Sequence, residues 1–213
     1  RIPLLAVTGT NGKTTTTRLL AHLFRQMGRC VGYTTTDGVY VDQCRIEKGD
    51  CTGPASARMV LRDPAVEVAV LECARGGLLR EGLAFDHCDV GLVTNVAADH
   101  LGLRDIHSVE DMAHVKAVIP ESVRPGGFAV LNADNDHTYA MRRRVRSNVA
   151  LFSRMAYSER ILAHCETGGL AAVVEAGYVC LVQGTALTRV EHVTQIPLTF
   201  GGKCPFMVEN VLA

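Results

Sequence analysis

Short apolar runs, each followed by turn residues and then by a helical pattern, recur through the first 150 residues of the chain. They lie at residues 4–7, 30–34, 66–71, 90–95, 128–131 and 149–152. Repeated in this way they predict an α/β fold with a mainly parallel sheet flanked by helices. Between the first two runs, residues 14–27 carry apolar side chains at Leu19, Leu20, Leu23, Phe24 and Met27. That is helical spacing, and Gly28 supplies a C-terminal cap. From about Gly168 the texture changes to alternating or β-branched runs at residues 171–174, 178–182 and 190–196. Glu175-Ala176-Gly177 and Gln183-Gly184-Thr185 between them are turn-like, which predicts an antiparallel β-meander appended to the core. Gly201-Gly202 precedes a final helical stretch. The expected organisation is one domain: an α/β core over residues 1–155, the meander over 156–200, and the start of a helix over 201–213. Because the chain runs straight into a strand and its last residues read as a helix stopped part-way, it is expected to be a piece of a longer protein.

Composition narrows the functional classes. Of 213 residues, 47% are hydrophobic, enough for a genuine core. Lys+Arg and Asp+Glu both number 22, so no broad electropositive field is present to hold nucleic acid. No apolar run approaches the roughly 20 residues that span a bilayer, and no signal-peptide layout is visible, so a cytoplasmic protein is expected, with no membrane partner. The eight cysteines include no C-x-x-C pair and read as reduced thiols. The basic cluster at residues 142–146 reads as a solvated helix face.

The strongest chemical signal is Val7-Thr8-Gly9-Thr10-Asn11-Gly12-Lys13-Thr14-Thr15, set between a strand and an amphipathic helix. Glycines let successive backbone N–H groups converge on phosphate oxygens, and the helix N-terminus adds its positive end. Lys13 can reach the β- and γ-phosphates, and the Thr14 hydroxyl is placed for Mg²⁺. Val7 stands where the general P-loop pattern has its first glycine, and a glycine appears at Gly9 instead.

With that displaced glycine the loop resembles the Mur ligase superfamily. Further segments match in the family's order: Val70-Leu71-Glu72, Thr94-Asn95-Val96-Ala97-Ala98-Asp99-His100-Leu101, Lys116, Val130-Leu131-Asn132-Ala133-Asp134 and Asn210. Tyr33-Thr34-Thr35-Thr36-Asp37-Gly38, Gly49-Asp50-Cys51-Thr52-Gly53-Pro54 and Glu72-Cys73-Ala74-Arg75-Gly76-Gly77 are most similar to the cyanophycin synthetase type within it. The fold so implied is the P-loop, ATP-binding central domain of a Mur ligase. The activity implied is ATP-dependent joining of a carboxylate to an amine through an acyl phosphate, here arginine onto the β-carboxylate of aspartate in the cyanophycin polymer.

The site residues follow. Gly9, Thr10, Asn11, Gly12, Lys13, Thr14 and Thr15 would bind ATP, with Asn210 on the adenine. Thr14 and Glu72 are proposed ligands of a first Mg²⁺, since Glu72 ends a candidate parallel strand where such sheets place their crevices. Glu72 reads alternatively as a cap of the segment at residues 75–81 or a partner of Arg75. The resemblance implies His100 and Lys116 at a second Mg²⁺, with Lys116 carbamylated by CO₂, a step that burial assists by favouring the neutral amine. A solvated Lys116 on a helix over residues 109–121 is the alternative. Lys13, Glu72, His100 and Lys116 form the catalytic set. Thr36, Asp50, Thr52 and Arg75 are expected on the substrate side, facing an amino acid and the polymer. Asn132 and Asp134 match a family motif or cap the next helix. A peptidoglycan-type or folylpolyglutamate-type ligase and a nucleotide-binding module without catalysis stay open as other functions, and a homo-oligomer stays open as the assembly.

Overall fold

The computed structural model describes residues 1–98 and 107–213. Among them, eleven strands form one sheet in the order β11-β10-β9-β8-β7-β6-β1-β5-β2-β3-β4. In chain order the elements are β1 (Leu4–Thr8), α1 (Lys13–Gln26), β2 (Val31–Thr35), β3 (Gly38–Val41), β4 (Cys44–Lys48), α2 (Pro54–Arg62), β5 (Val68–Glu72), α3 (Arg75–Glu81) and β6 (Cys88–Val93). There follow α4 (Val109–Glu121), β7 (Val123–Asn132), α5 (Asp136–Ala140), β8 (Asn148–Ser153), α6 (Glu159–Glu166), β9 (Leu170–Glu175), β10 (Tyr178–Gln183), β11 (Ala186–His192) and α7 (Pro205–Leu212). The strands from β9 through β8, β7, β6, β1 and β5 to β2 run parallel, and an antiparallel hairpin extends each edge.

All five residues of β1 and of β5 are buried because helices cover both faces. Leu4 and Ala6 pack with α2 and α4 through Ala57, Val60 and Ile119. Their neighbours Leu5 and Val7 point the other way, onto Ala21, Leu20 and Phe24 of α1. The same alternation splits β8, where Leu151 joins the cluster of Met112, Ile161 and Cys165 while Phe152 packs on Val208 and Leu212 of α7.

Six expected strands and the helix after the first are present with small shifts of bounds. The meander is present too, but β9 pairs in parallel with β8, so it continues the main sheet. Its third strand differs from expectation. The strand occupies Ala186–His192, and Val193–Gln195 forms a 3-10 turn capped by the His192 ring. The strand is almost wholly exposed, so backbone pairing with β10 fixes it and no apolar alternation marks it. The basic cluster also differs: Met141–Arg143 is a single 3-10 turn, Arg142 lies over the Tyr139 ring at 3.6 Å, and Arg144 pairs with Glu121 at 2.5 Å. All eight cysteines are free. No helix among the described residues is long and apolar enough to cross a membrane.

Candidate active site

Strand order decides where the loop after β1 lies. β1 sits between β5 and β6, so the chain leaves β1 at the point where the connections reverse direction, and a crevice opens at the carboxyl ends of the strands. Glu72, the last residue of β5, stands on one side of the loop, and Thr94 follows β6 on the other.

Residues 9–12 are stitched to the β6 side by a dense set of bonds. The Thr94 hydroxyl donates to the Asn11 carbonyl at 2.6 Å. Asn95 grips the Asn11 backbone twice, accepting its N–H at 2.9 Å and donating to its carbonyl at 3.2 Å. The Thr10 N–H reaches the Asn95 carbonyl at 2.8 Å, and Asn132 supports Thr94 by donating to its carbonyl at 2.8 Å. Both loop glycines are required by geometry. Gly9 has φ 149° and Gly12 φ 86°. A Cβ on Gly9 would come within 1.8 Å of Thr94 Oγ1, and one on Gly12 within 2.2 Å of Asn210 Oδ1. Asn210, buried on α7, is thereby placed directly over the loop.

Lys13 opens α1 and donates from Nζ to the Thr10 carbonyl at 2.8 Å, lying across its own loop. The next residue makes the pivotal contact: the Thr14 hydroxyl donates to Glu72 Oε2 at 2.8 Å. Glu72 is 1% exposed, and its Oε1 has no hydrogen-bond partner among the described residues. Burial pushes its carboxyl above the usual carboxylate range, against the Thr14 hydrogen bond and the Lys13 charge. A buried carboxylate oxygen beside a threonine hydroxyl, with a lone pair unused, fits a hard divalent cation, which takes oxygen ligands and offsets the cost of the buried charge. The alternative role as a helix cap fails, because the N-cap residue of α3 is Ala74 and no side chain caps the helix.

Lys116 is not solvated. It is 3% exposed, and its Nζ donates to the Gly9 carbonyl at 2.7 Å. One open cleft of about 330 Å³ is lined by Gly9, Thr10, Lys13, Asp50, Arg75 and Lys116. The structure therefore brings the glycine loop after β1, the α4 lysine and two of the four expected substrate residues to one wall system. Asp50 Oδ1 accepts from the Thr52 hydroxyl at 2.7 Å and its N–H at 3.2 Å, which braces that loop. Thr36 lies beside Thr14, with its hydroxyl 3.4 Å from that of Thr14. His100 lies outside the described residues. Among those described, no group of three His, Cys, Asp or Glu could hold a metal. The helix after β7 is capped by Asn135, which accepts the Thr138 N–H at 3.0 Å, and not by Asn132 or Asp134. Asn95 and Thr94 carry the loop architecture without having been assigned a role from sequence. The motif they belong to was visible, but its contact with residues over 80 positions away was not.

The Mur ligase middle domain family matches residues 7–213. Cyanophycin synthetase of Synechocystis sp. is 60% identical over all of this chain, which spans 24% of that protein. The cyanophycin synthetase of Crocosphaera subtropica is 57% identical over the same full span, again 24% of its length. The chain thus corresponds to about a quarter of these curated relatives. Among solved structures, a UDP-N-acetylmuramoyl-L-alanyl-D-glutamate–2,6-diaminopimelate ligase superposes with TM-score 0.71 at 22% identity, covering 100% of this chain and 42% of that one. A bifunctional folylpolyglutamate synthase/dihydrofolate synthase with Mn, AMPPNP and L-glutamate bound gives TM-score 0.63 at 17% identity, covering 99% and 57%. At such identities the structures speak for the fold alone, whereas the match across the sequence assigns the kinship: the chain belongs to the Mur ligase family, as its middle domain.

Proposed function

We propose that this chain is the ATP-binding part of an ATP-dependent carboxylate–amine ligase of the cyanophycin synthetase kind, which adds arginine to the β-carboxylate of aspartate in the polymer. The observation that carries the reading is the Thr14–Glu72 contact at 2.8 Å, made by the residue that follows Lys13, which itself lines one cleft with the buried Lys116. Identity of 55–60% to cyanophycin synthetases over the whole of this chain, about a quarter of their length, supports this substrate pair over those of the peptidoglycan-type and folate-type relatives. The division into core, meander and final helix is retained as the organisation of this part.

In this reading the backbone N–H groups of the first turn of α1, with the positive end of that helix, hold the ATP phosphates, with the Lys13 ammonium beside them and Asn210 toward the adenine. Thr14 and Glu72 would hold one Mg²⁺, and Lys116 in carbamylated form with His100 a second. Bound there, the ions would neutralise the repulsion between phosphate and carboxylate. Arg75 steadies the acceptor carboxylate, whose oxygen takes the γ-phosphoryl group as ADP leaves. Attack of the amine nitrogen on the acyl carbon then expels phosphate and releases a proton. Asp50 faces the polymer beside Arg75, and Thr52 holds Asp50 in place.

The test is a screen of single amino acids with the intact protein, ATP and Mg²⁺, with and without cyanophycin primer. Phosphate release that needs both arginine and primer is expected. Release driven by another amino acid, or none at all, would replace this reading by a different acceptor or by a non-catalytic nucleotide module.

A further inference from the structure

Four two-residue turns join the hairpins of the sheet among the described residues. Three of them use left-handed backbone: Asp42 at φ 54°, Ala176 and Gly177 at 49° and 81°, and Gly184 at 60°. Positive φ is what matches a tight turn to the twist of its strands. The fourth turn, Thr36-Asp37 between β2 and β3, has neither residue in that region. Its geometry is held from outside.

The Asp37 carboxylate does the holding. It accepts from the Thr35 hydroxyl, from the Arg18 guanidinium, and from the Tyr40 hydroxyl at 2.9 Å. Tyr40 is itself fixed, stacked on Tyr33 with ring centroids 4.7 Å apart. Arg18 lies one helical turn beyond Thr14 on α1, so the carboxylate ties the hairpin to the helix that presents Thr14. Thr36 in the same turn lies against Thr14. The acceptor-side loop hangs from this turn as well, since the Gly49 N–H donates to the Asp37 carbonyl at 3.4 Å and the Cys51 N–H to the Thr35 carbonyl at 3.1 Å.

We propose that Asp37 is a positioning residue of the ligase, locking the Thr36 turn to α1 so that the Asp50 loop stands at the right distance from the phosphate loop. The inference rests on the ligase reading above. Asp37 acts through Thr36 and residues 49–52 and not by touching substrate.

In the intact enzyme, Asp37→Asn keeps the size of the side chain and removes its charge, while Arg18→Met cuts only the anchor to α1. Loss of about one charge-assisted hydrogen bond predicts a roughly tenfold fall in kcat/KM for the polymer primer in Asp37→Asn. The Kd of an ATP analogue measured without metal should stay within about twofold, and Tm within roughly 3 °C for so exposed a pair. Arg18→Met should show the same split to a smaller degree, and the double variant should be no worse than Asp37→Asn alone, as expected of a coupled unit. Primer kinetics that are unchanged, that fall in step with nucleotide affinity, or that add independently in the double variant would overturn the proposal. Should Asp37→Asn fail to fold, Arg18→Met and Tyr40→Phe carry the same test. A wild-type protein that joins no amino acid to primer overturns the ligase reading and this inference together, whereas an active wild type with an indifferent Asp37→Asn overturns the inference alone.

Discussion

Glu72 is the residue at which folding and the proposed chemistry pull in opposite directions. It is 1% exposed with one carboxylate oxygen unbonded, a costly arrangement for the fold taken alone. Glu72→Gln should therefore raise the Tm of the protein measured without nucleotide or Mg²⁺, by an amount equivalent to about 1 kcal/mol, while abolishing ligation. Added Mg²⁺ and ATP analogue should stabilise the wild type and not the variant, as thermal unfolding with and without ligand will show. Lys13→Ala should lose ligation with little change in Tm, because Lys13 bonds a carbonyl of its own loop and is not part of a core cluster. At Lys116, burial against the Gly9 carbonyl makes substitution informative. Lys116→Ala should cost most of the activity and regain part of it with formate or acetate, and Lys116→Arg should stay inactive because a guanidinium remains cationic.

At the scale of the element, the loop between β1 and α1 and the turn after α6 show two uses of close packing. Gly12→Ala would place a methyl group 2.2 Å from Asn210 Oδ1 at a positive φ, so nucleotide affinity measured by calorimetry should fall at least tenfold and stability by roughly 1–3 kcal/mol. In α6, the half-buried His164 ring makes a 3.1 Å hydrogen bond with the Leu170 carbonyl and packs under Gly169. Burial depresses its imidazole below the usual range, against the pull of two backbone carbonyls. A folded-state pKa below the unfolded one gives stability that is present above about pH 6.5 and is lost as pH falls through the folded value. Unfolding followed between pH 7 and 5 should show this decline, and His164→Gln, which keeps a donor for the carbonyl, should flatten it.

For the whole molecule, a three-layer core buries most of the thiols. Cys73 and Cys88 are pushed up to about 12 and about 11 by burial, which leaves them unreactive as thiols near neutral pH. Pulse alkylation followed by peptide mapping should label exposed Cys44 first, then Cys30 and Cys204. Cys51, Cys73, Cys88, Cys165 and Cys180 should react only on unfolding, and early labelling of any of these would contradict the packing. The sequence by itself determined the parallel core and its phosphate loop. Strands covered on both faces must be continuously apolar, and a loop that cradles phosphate must carry glycine, lysine and threonine at fixed offsets, so both leave local traces. It also named Glu72, at the end of an apolar run, and Lys116, through the resemblance to Mur ligases. Only the tertiary structure decided that Glu72 meets Thr14, that Lys116 is buried on Gly9, that Asn95 grips Asn11 and that Asp37 ties a hairpin to α1. It alone revealed β3, β4 and the true extent of β11, since edge strands such as β4 are exposed throughout and held by backbone pairing. Backbone hydrogen bonds are open to nearly every residue type, and contacts across 58 to 107 positions depend on strand order, so neither writes a local pattern into the chain.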